Sequence, residues 1–211
     1  MSAALKEIGM ARALRFALLE LAQLVHLLLL LPPLRAFWLR LLGASLGRDT
    51  VLLDVRFSNL DRGGLSGLTV GRRGWLGRGV RLDLADAITL GDDVTLADEV
   101  LVLTHLNVGF REHPLHSAYP RRTAPVVIGS GCFVGARALI LPGVTLGPEV
   151  FVAAGAVVTT SVPAGAVVAG NPARPLSLAG GRREATTAPP AAPQTGSRAV
   201  SAPPGDPRAT G

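Results

Sequence analysis

From Ile128 onward the chain repeats every six residues. Ile128-Gly129, Val134-Gly135, Ile140-Leu141, Leu146-Gly147, Val152-Ala153 and Val158-Thr159 open six consecutive hexads. A period of six fits neither an amphipathic helix nor a simple alternating strand. The fifth position of each hexad is small or compactly β-branched: Cys132, Ala138, Val144, Val150, Ala156 and Val162 in order. Side chains confined there have little room. Such repetition marks a parallel β-helix, in which each short strand stacks on its equivalent one coil later. With 48% apolar residues and only 4% aromatics, the core must be built from Val, Leu, Ile and Ala. That suits coils stacked about 4.8 Å apart, where a bulky ring does not fit between layers.

The hexads begin loosely at Leu46-Gly47 and become regular at Val70-Gly71, Leu76-Gly77 and Leu82-Asp83. A two-residue slip resets the register before Leu90-Gly91, Leu96-Ala97 and Val102-Leu103. The period is then lost from Thr104 to Pro125, giving a loop over 104–126 inside a domain spanning 46–176. A long excursion from a rigid scaffold is a place where function concentrates.

Ahead of this domain, residues 1–45 form an apolar segment read as helical from Ala13 to Leu31 and stopped by Pro32-Pro33. Its uncharged part, Leu21 to Leu34, is shorter than the roughly 20 residues that span a bilayer. Lys6, Arg12 and Arg15 on one side and Arg35 and Arg40 on the other leave no orientation bias. Residues 11–34 therefore either lie on a membrane surface or pack on the domain and its oligomeric neighbours. Beyond the domain, 177–211 is dominated by Pro, Ala, Thr, Ser, Gly and Arg and is expected to be disordered.

The net charge of +6 is unevenly placed. The segment 46–175 carries twelve basic and eleven acidic side chains, interleaved and without an aromatic stacking platform. That distribution argues against a nucleic-acid partner. Cys132 is the only cysteine, so there is no intrachain disulfide and no cysteine metal cluster. Its small-residue hexad position marks it as a buried structural thiol.

Pro-Gly-Val-Thr at 142–145, Gly-Ala-Val-Val-Thr at 155–159 and Gly-Asn-Pro-Ala-Arg at 170–174 closely resemble, in order and spacing, the hexapeptide-repeat acyltransferases. Among them they resemble particularly the sugar and polysaccharide O-acetyltransferases related to the maltose and galactoside acetyltransferases. The resemblance runs strongly from Ala136 to Leu176 and more weakly back to Leu46. It implies an all-β fold, a left-handed parallel β-helix assembled as a homotrimer. It also implies acetyl-CoA as donor, a sugar or polysaccharide acceptor, no metal, and a cytoplasmic location that the apolar N-terminus extends to the inner face of the membrane. The hand comes from the resemblance, because the general rule for parallel strands is a right-handed crossover.

In that family a histidine acts as general base in direct acetyl transfer to a hydroxyl. A hydroxyl is a poor nucleophile at neutral pH, and an imidazole, with an intrinsic pKa of about 6.5, can take its proton during attack. Direct attack needs no covalent enzyme intermediate, so the lack of a Ser-His-Asp arrangement is no objection. His105, where the coils give way to the loop, matches the family's catalytic histidine. His113, in a His-Pro context, is the alternative. Phe133 matches an aromatic that shapes the coenzyme site, a Trp in maltose-type enzymes, with core packing as its other reading. Gly135, Ala136, Ala154, Gly155 and Thr159 match positions where the pantetheine arm approaches the backbone, although a tight coil also demands small residues. Arg174 matches a basic residue near the coenzyme phosphates, or is a solvated surface arginine. Maltose-type enzymes carry an asparagine one coil before the histidine, but Trp75 to Leu84 contains none. Asp83 is the nearest polar residue there, which removes the basis for maltose or galactoside specificity.

Two competing readings remain. His105, His113 and His116 invite a zinc site of the carbonic-anhydrase kind, which needs three histidines converging across an interface. The leucine-rich segment invites a non-enzymatic trimeric scaffold at a membrane surface.

Overall fold

The structure, a computed structural model, describes residues 10–176 apart from Arg111. Residues 1–9 and the tail 177–211, including its expected disorder, lie outside the described residues. Three parallel sheets run along one axis and close into a left-handed β-helix, as expected. Sheet A holds Ser45–Leu46, Leu68–Val70, Ile88–Leu90, Val126–Ile128 and Thr145–Leu146. Sheet B runs through Val51–Leu52, Trp75–Leu76, Thr95–Leu96, Phe133–Val134, Phe151–Val152 and Val167–Ala169, and ends on antiparallel Arg174–Pro175. Sheet C holds Val55–Ser58, Val80–Asp83, Leu101–Val102, Leu139–Ile140 and Val157–Val158.

In the regular coils one turn takes eighteen residues, three hexads. Ile128 pairs with Leu146, Val134 with Val152 and Ile140 with Val158. The first and fifth positions of every hexad point inward. Ile128, Val134, Ile140, Leu146, Val152 and Val158 fill the axis, and Cys132, Ala138, Val144, Val150, Ala156 and Val162 fill the corners, all buried. Burial pushes the Cys132 thiol up and away from thiolate, and its Sγ rests 3.0 Å from the Gly147 carbonyl, so it is an inert packing group.

Corners need a residue with positive φ. Several are not glycine: Asp49, Arg73, Asp93, Glu99, Arg137 and Glu149 all have φ between 54° and 60°. Ion pairing links some of them across coils, with Arg73 held bidentately by Asp93 and Arg137 by Glu99. These pairs are exposed, so they steer coil register more than they stabilise it.

The N-terminal segment is two helices. Helix α1 spans Met10–Leu28 and α2 spans Pro32–Leu41. The helix expected over Ala13 to Leu31 runs over Met10–Leu28, and Pro32-Pro33, read from the sequence as its stop, open α2 instead. A proline's missing N–H is tolerated in a first helical turn, and its fixed φ suits one. Ala36 and Leu39 of α2 are buried, packed over the first coil, whose strand edges would otherwise be open to pairing. Trp38 Nε1 donates to the Ala22 carbonyl at 3.0 Å, and the Phe57 N–H donates to Gln23 Oε1 at 2.5 Å, tying α1 to α2 and to sheet C.

His26, in the last turn of α1, is fully buried, its ring 5.8 Å from Phe57, with neither nitrogen hydrogen-bonded among the described residues. Burial, with the positive charge of Arg35 second, pushes its imidazole down to about 4 from 6.5. The unfolded chain therefore binds a proton that the folded chain refuses between those two values, and stability falls as pH drops from 6.5 toward 4. The full effect is about 3 kcal/mol. Thermal melts across this window should show that loss, and His26→Leu should remove it. If the wild-type and variant profiles are parallel, His26 does not carry the effect.

Candidate active site

Every long departure from the eighteen-residue coil occurs at one corner, where sheet C hands the chain to sheet A. The first coil inserts a helical turn there, α3 at Leu60–Gly63, followed by a 3₁₀ turn at Leu65–Gly67. The next coil inserts the two-residue slip, which displaces Val70 from Leu90 by twenty residues. The third inserts the loop, so that Leu90 pairs with Ile128. Stacking brings these three irregular corners together, and polar residues fill the space that aliphatic hexad residues occupy elsewhere.

Asp83 is the centre of this corner. It ends the strand Val80–Asp83, and its side chain turns inward with no exposure. Asn59 Nδ2 donates to Oδ1 at 2.6 Å, and the Thr104 N–H donates to Oδ2 at 2.9 Å. The Thr104 hydroxyl donates to the Asp83 carbonyl at 2.6 Å and accepts the Asp86 N–H at 3.0 Å. His105 Nδ1 lies 2.5 Å from Asp83 Oδ2. Burial works against the charged carboxylate, but hydrogen bonds from His105, Thr104 and Asn59 outweigh it and hold Asp83 below the usual carboxylate range. An ionised carboxylate only accepts, so Nδ1 carries the hydrogen and Nε2 is left with its lone pair.

His105 and Leu106 pair antiparallel with Arg122–Thr123, the returning end of the loop. This two-stranded ribbon edges a cavity of about 400 Å³. Leu103, Leu106, Ala124, Leu141 and Pro142 give it an apolar wall, with His105, Arg122 and Thr159 as its polar members. Apolar walls with a few convergent polar groups are the usual make-up of a small-molecule site.

The residues singled out from the sequence fall in four places. His105 and Thr159 share the cavity. Gly135 and Ala136 stack under Ala154 and Gly155 at the corner between sheets B and C, where the Gly155 N–H donates to the Ala136 carbonyl at 2.8 Å. A Cβ on Gly135 would sit 2.5 Å from the Ala154 nitrogen, whereas Gly155, at φ +68°, has open space on its Cβ side. Phe133 lies on the outer face of sheet B, half exposed and stacked on Phe151 at 4.9 Å, so it is a surface aromatic and not part of the axis core. Arg174 is exposed near the last coil, its Nη1 donating to the Ala173 carbonyl. Within one chain these groups do not converge on the cavity.

His113 stays inside its loop, where its Nδ1 accepts the Leu115 N–H at 3.1 Å. Among the described residues no group of three His, Cys, Asp or Glu side chains could hold a metal ion. Asn59 and Thr104 were not legible as site residues from sequence, and Asp83 only as a stray polar residue. The available signal was the repeated loss of period at equivalent points of three successive coils.

Residues 125–160 match the family model described as the hexapeptide repeat of succinyl-transferase. The chain is 32% identical over 140 residues to WcaF of Escherichia coli (strain K12), named as a colanic acid biosynthesis acetyltransferase, covering 66% of this chain and 71% of that one. A maltose O-acetyltransferase from Clostridium difficile 630 superposes with a TM-score of 0.56 at 28% identity, over 67% of this chain and 73% of that one. A galactoside acetyltransferase in complex with coenzyme A does so with a TM-score of 0.58 at 25% identity, over 68% of each. The repeated hexads, the three-sided coil and these likenesses agree: the chain belongs to the hexapeptide-repeat acetyltransferase family.

Proposed function

We propose that this acetyltransferase moves an acetyl group from acetyl-CoA to a hydroxyl of a sugar or polysaccharide intermediate, with His105 as general base. The observation that carries the reading is the buried Asp83 carboxylate 2.5 Å from His105 Nδ1 at the edge of an apolar-walled cavity. Acetyl-CoA supplies the activated thioester. His105 Nε2 accepts the proton of the acceptor hydroxyl as its oxygen bonds to the acetyl carbon. As the carbon–sulfur bond breaks, the imidazolium returns that proton to the departing sulfur. Asp83 is a positioning residue: it fixes the tautomer and the ring plane and offsets the transient positive charge. Asn59 and Thr104 hold Asp83.

For the donor, Gly135, Ala136, Ala154 and Gly155 offer a corner where a chain can approach the backbone, since no side chain beyond a methyl stands there. Thr159 stands on the cavity wall, Phe133 offers a flat apolar surface, and Arg174 a guanidinium for phosphate oxygens. These groups are dispersed on one chain, which supports a trimer whose intersubunit grooves complete the donor site.

Asp83→Asn tests the dyad. It should lower kcat about 100-fold while leaving the KM for acetyl-CoA within a few-fold, because the side chain still fits but no longer fixes the imidazole. Unchanged kcat would show that His105 needs no orienting carboxylate.

The helical segment supports a membrane-surface location. Leu14, Leu18, Leu21, Leu24 and Leu28 of α1, with Leu34, Phe37 and Leu41 of α2, are all about half exposed or more. Exposed apolar surface on this scale marks a contact surface. No helix among the described residues is long and apolar enough to cross a membrane, so the contact is parallel to the surface, and an acceptor on a lipid carrier fits it. Vesicles rich in anionic lipid should sediment the protein, and Leu18→Asp with Leu21→Asp should weaken binding at least about tenfold. Equal binding by the double variant would assign this face to contacts between chains.

A further inference from the structure

The cavity beside His105 has one formal cation and no acid among its lining residues. Arg122 has no ion-pair or side-chain hydrogen-bond partner among the described residues, whereas Arg56, Arg72, Arg73 and Arg137 face carboxylates. Its backbone is not free to drift, since it pairs directly with Leu106, the residue after His105. Register places the Arg122 backbone one step along the ribbon from the general base, and Arg122 lines the same cavity as His105. The remaining wall, Leu106, Ala124, Leu141 and Pro142 among it, offers nothing that would neutralise it.

From this we infer that the acceptor is an acidic sugar, carrying a carboxylate or phosphate close to the hydroxyl that is acetylated, and that Arg122 binds that anion. The inference rests on the assignment of His105 as the base. A guanidinium presents a fork of N–H donors that fits either oxyanion bidentately. The coenzyme's own phosphates are a second source of anion, but the pantetheine arm separates them from the thioester by more than the width of a 400 Å³ cavity. With the thioester at His105, the anion at Arg122 is the acceptor's. A uronic acid or a sugar phosphate meets the requirement, and a neutral hexoside leaves Arg122 without a partner.

Ligand-observed NMR on the full chain can test this with two matched pools. The acidic pool contains methyl glucuronoside, methyl galacturonoside and glucose 1-phosphate. The neutral pool contains the methyl glycosides of glucose, galactose and mannose. The wild-type protein should bind the acidic pool about tenfold more tightly, Arg122→Gln should abolish the preference, and Arg122→Lys should restore part of it. Binding of acetyl-CoA, followed by calorimetry on the same samples, should stay within twofold in both variants. Absence of an acidic preference in the wild-type protein overturns the inference. A preference that survives Arg122→Gln overturns it as well. Loss of acetyl-CoA affinity in Arg122→Gln, with sugar binding unchanged, also overturns it, by assigning the anion to the coenzyme. Failure of the acetyltransferase reading is a separate result, seen as no calorimetric binding of acetyl-CoA to the wild-type protein.

Discussion

His105→Ala should lower kcat by about two to four orders of magnitude, the usual contribution of a positioned general base, with little change in the KM for acetyl-CoA. The side chain is about a quarter exposed, but alanine removes a hydrogen bond to the buried Asp83 carboxylate, so the β-helix should stay folded with a melting temperature lowered by a few degrees, about 1 kcal/mol or more. Release of free thiol from acetyl-CoA in the presence of acceptor measures the first quantity, and thermal denaturation the second. The same measurements on His105→Ala combined with Asp83→Asn should give little further loss, because two groups acting as one unit are not additive. Activity retained by His105→Ala would move the base to His113, whose substitution by alanine should otherwise be nearly silent.

The largest stability effect is expected from Gly129→Ala. At the corner that follows sheet A, glycines stack one above another. A Cβ on Gly47 would meet the Gly71 carbonyl carbon at 2.5 Å, and a Cβ on Gly71 the carbonyl carbon of Gly91 at 2.6 Å. On Gly129 it would meet the Pro148 nitrogen at 2.6 Å and the Gly147 carbonyl carbon at 2.8 Å. All of these are backbone atoms of the next coil, which cannot rotate away. Relief requires the coils to separate and their ladder hydrogen bonds to stretch, at a cost of about 3 kcal/mol. That corresponds to a fall of roughly 10 °C in melting temperature for a domain of this size. Gly155→Ala is the contrast. Its Cβ meets nothing within 4 Å, and only the positive φ is strained, so the loss should be about 1 kcal/mol. Equal losses at the two positions would refute the close-approach account.

The scaffold was legible because its signal is local and repeated. A hexad needs one inward aliphatic and one small corner residue, and Ile128 to Val162 state that requirement six times over. The slip near Ile88 and the gap from Thr104 were legible for the same reason, as failures of a strict pattern. The second helix was not, because Pro32-Pro33 serves equally well to end one helix and to start another. His105 could be singled out by its place at the gap and by family likeness. Its partner could not: Asp83 is twenty-two residues earlier, and a carboxylate at the end of Val80–Asp83 reads like any corner acid until stacking places it under Thr104 and His105.

Composition and period alone determined that this chain builds a parallel β-helix with an aliphatic axis, since a six-residue repeat of inward side chains fits neither an amphipathic helix nor an alternating strand. Only the tertiary structure decided where chemistry can occur on it. Insertions separated by twenty or more residues have no relation along the chain, but coils stacked in register carry them to one corner. There Asn59, Asp83, Thr104 and His105 become neighbours, and the returning loop strand sets Arg122 beside them.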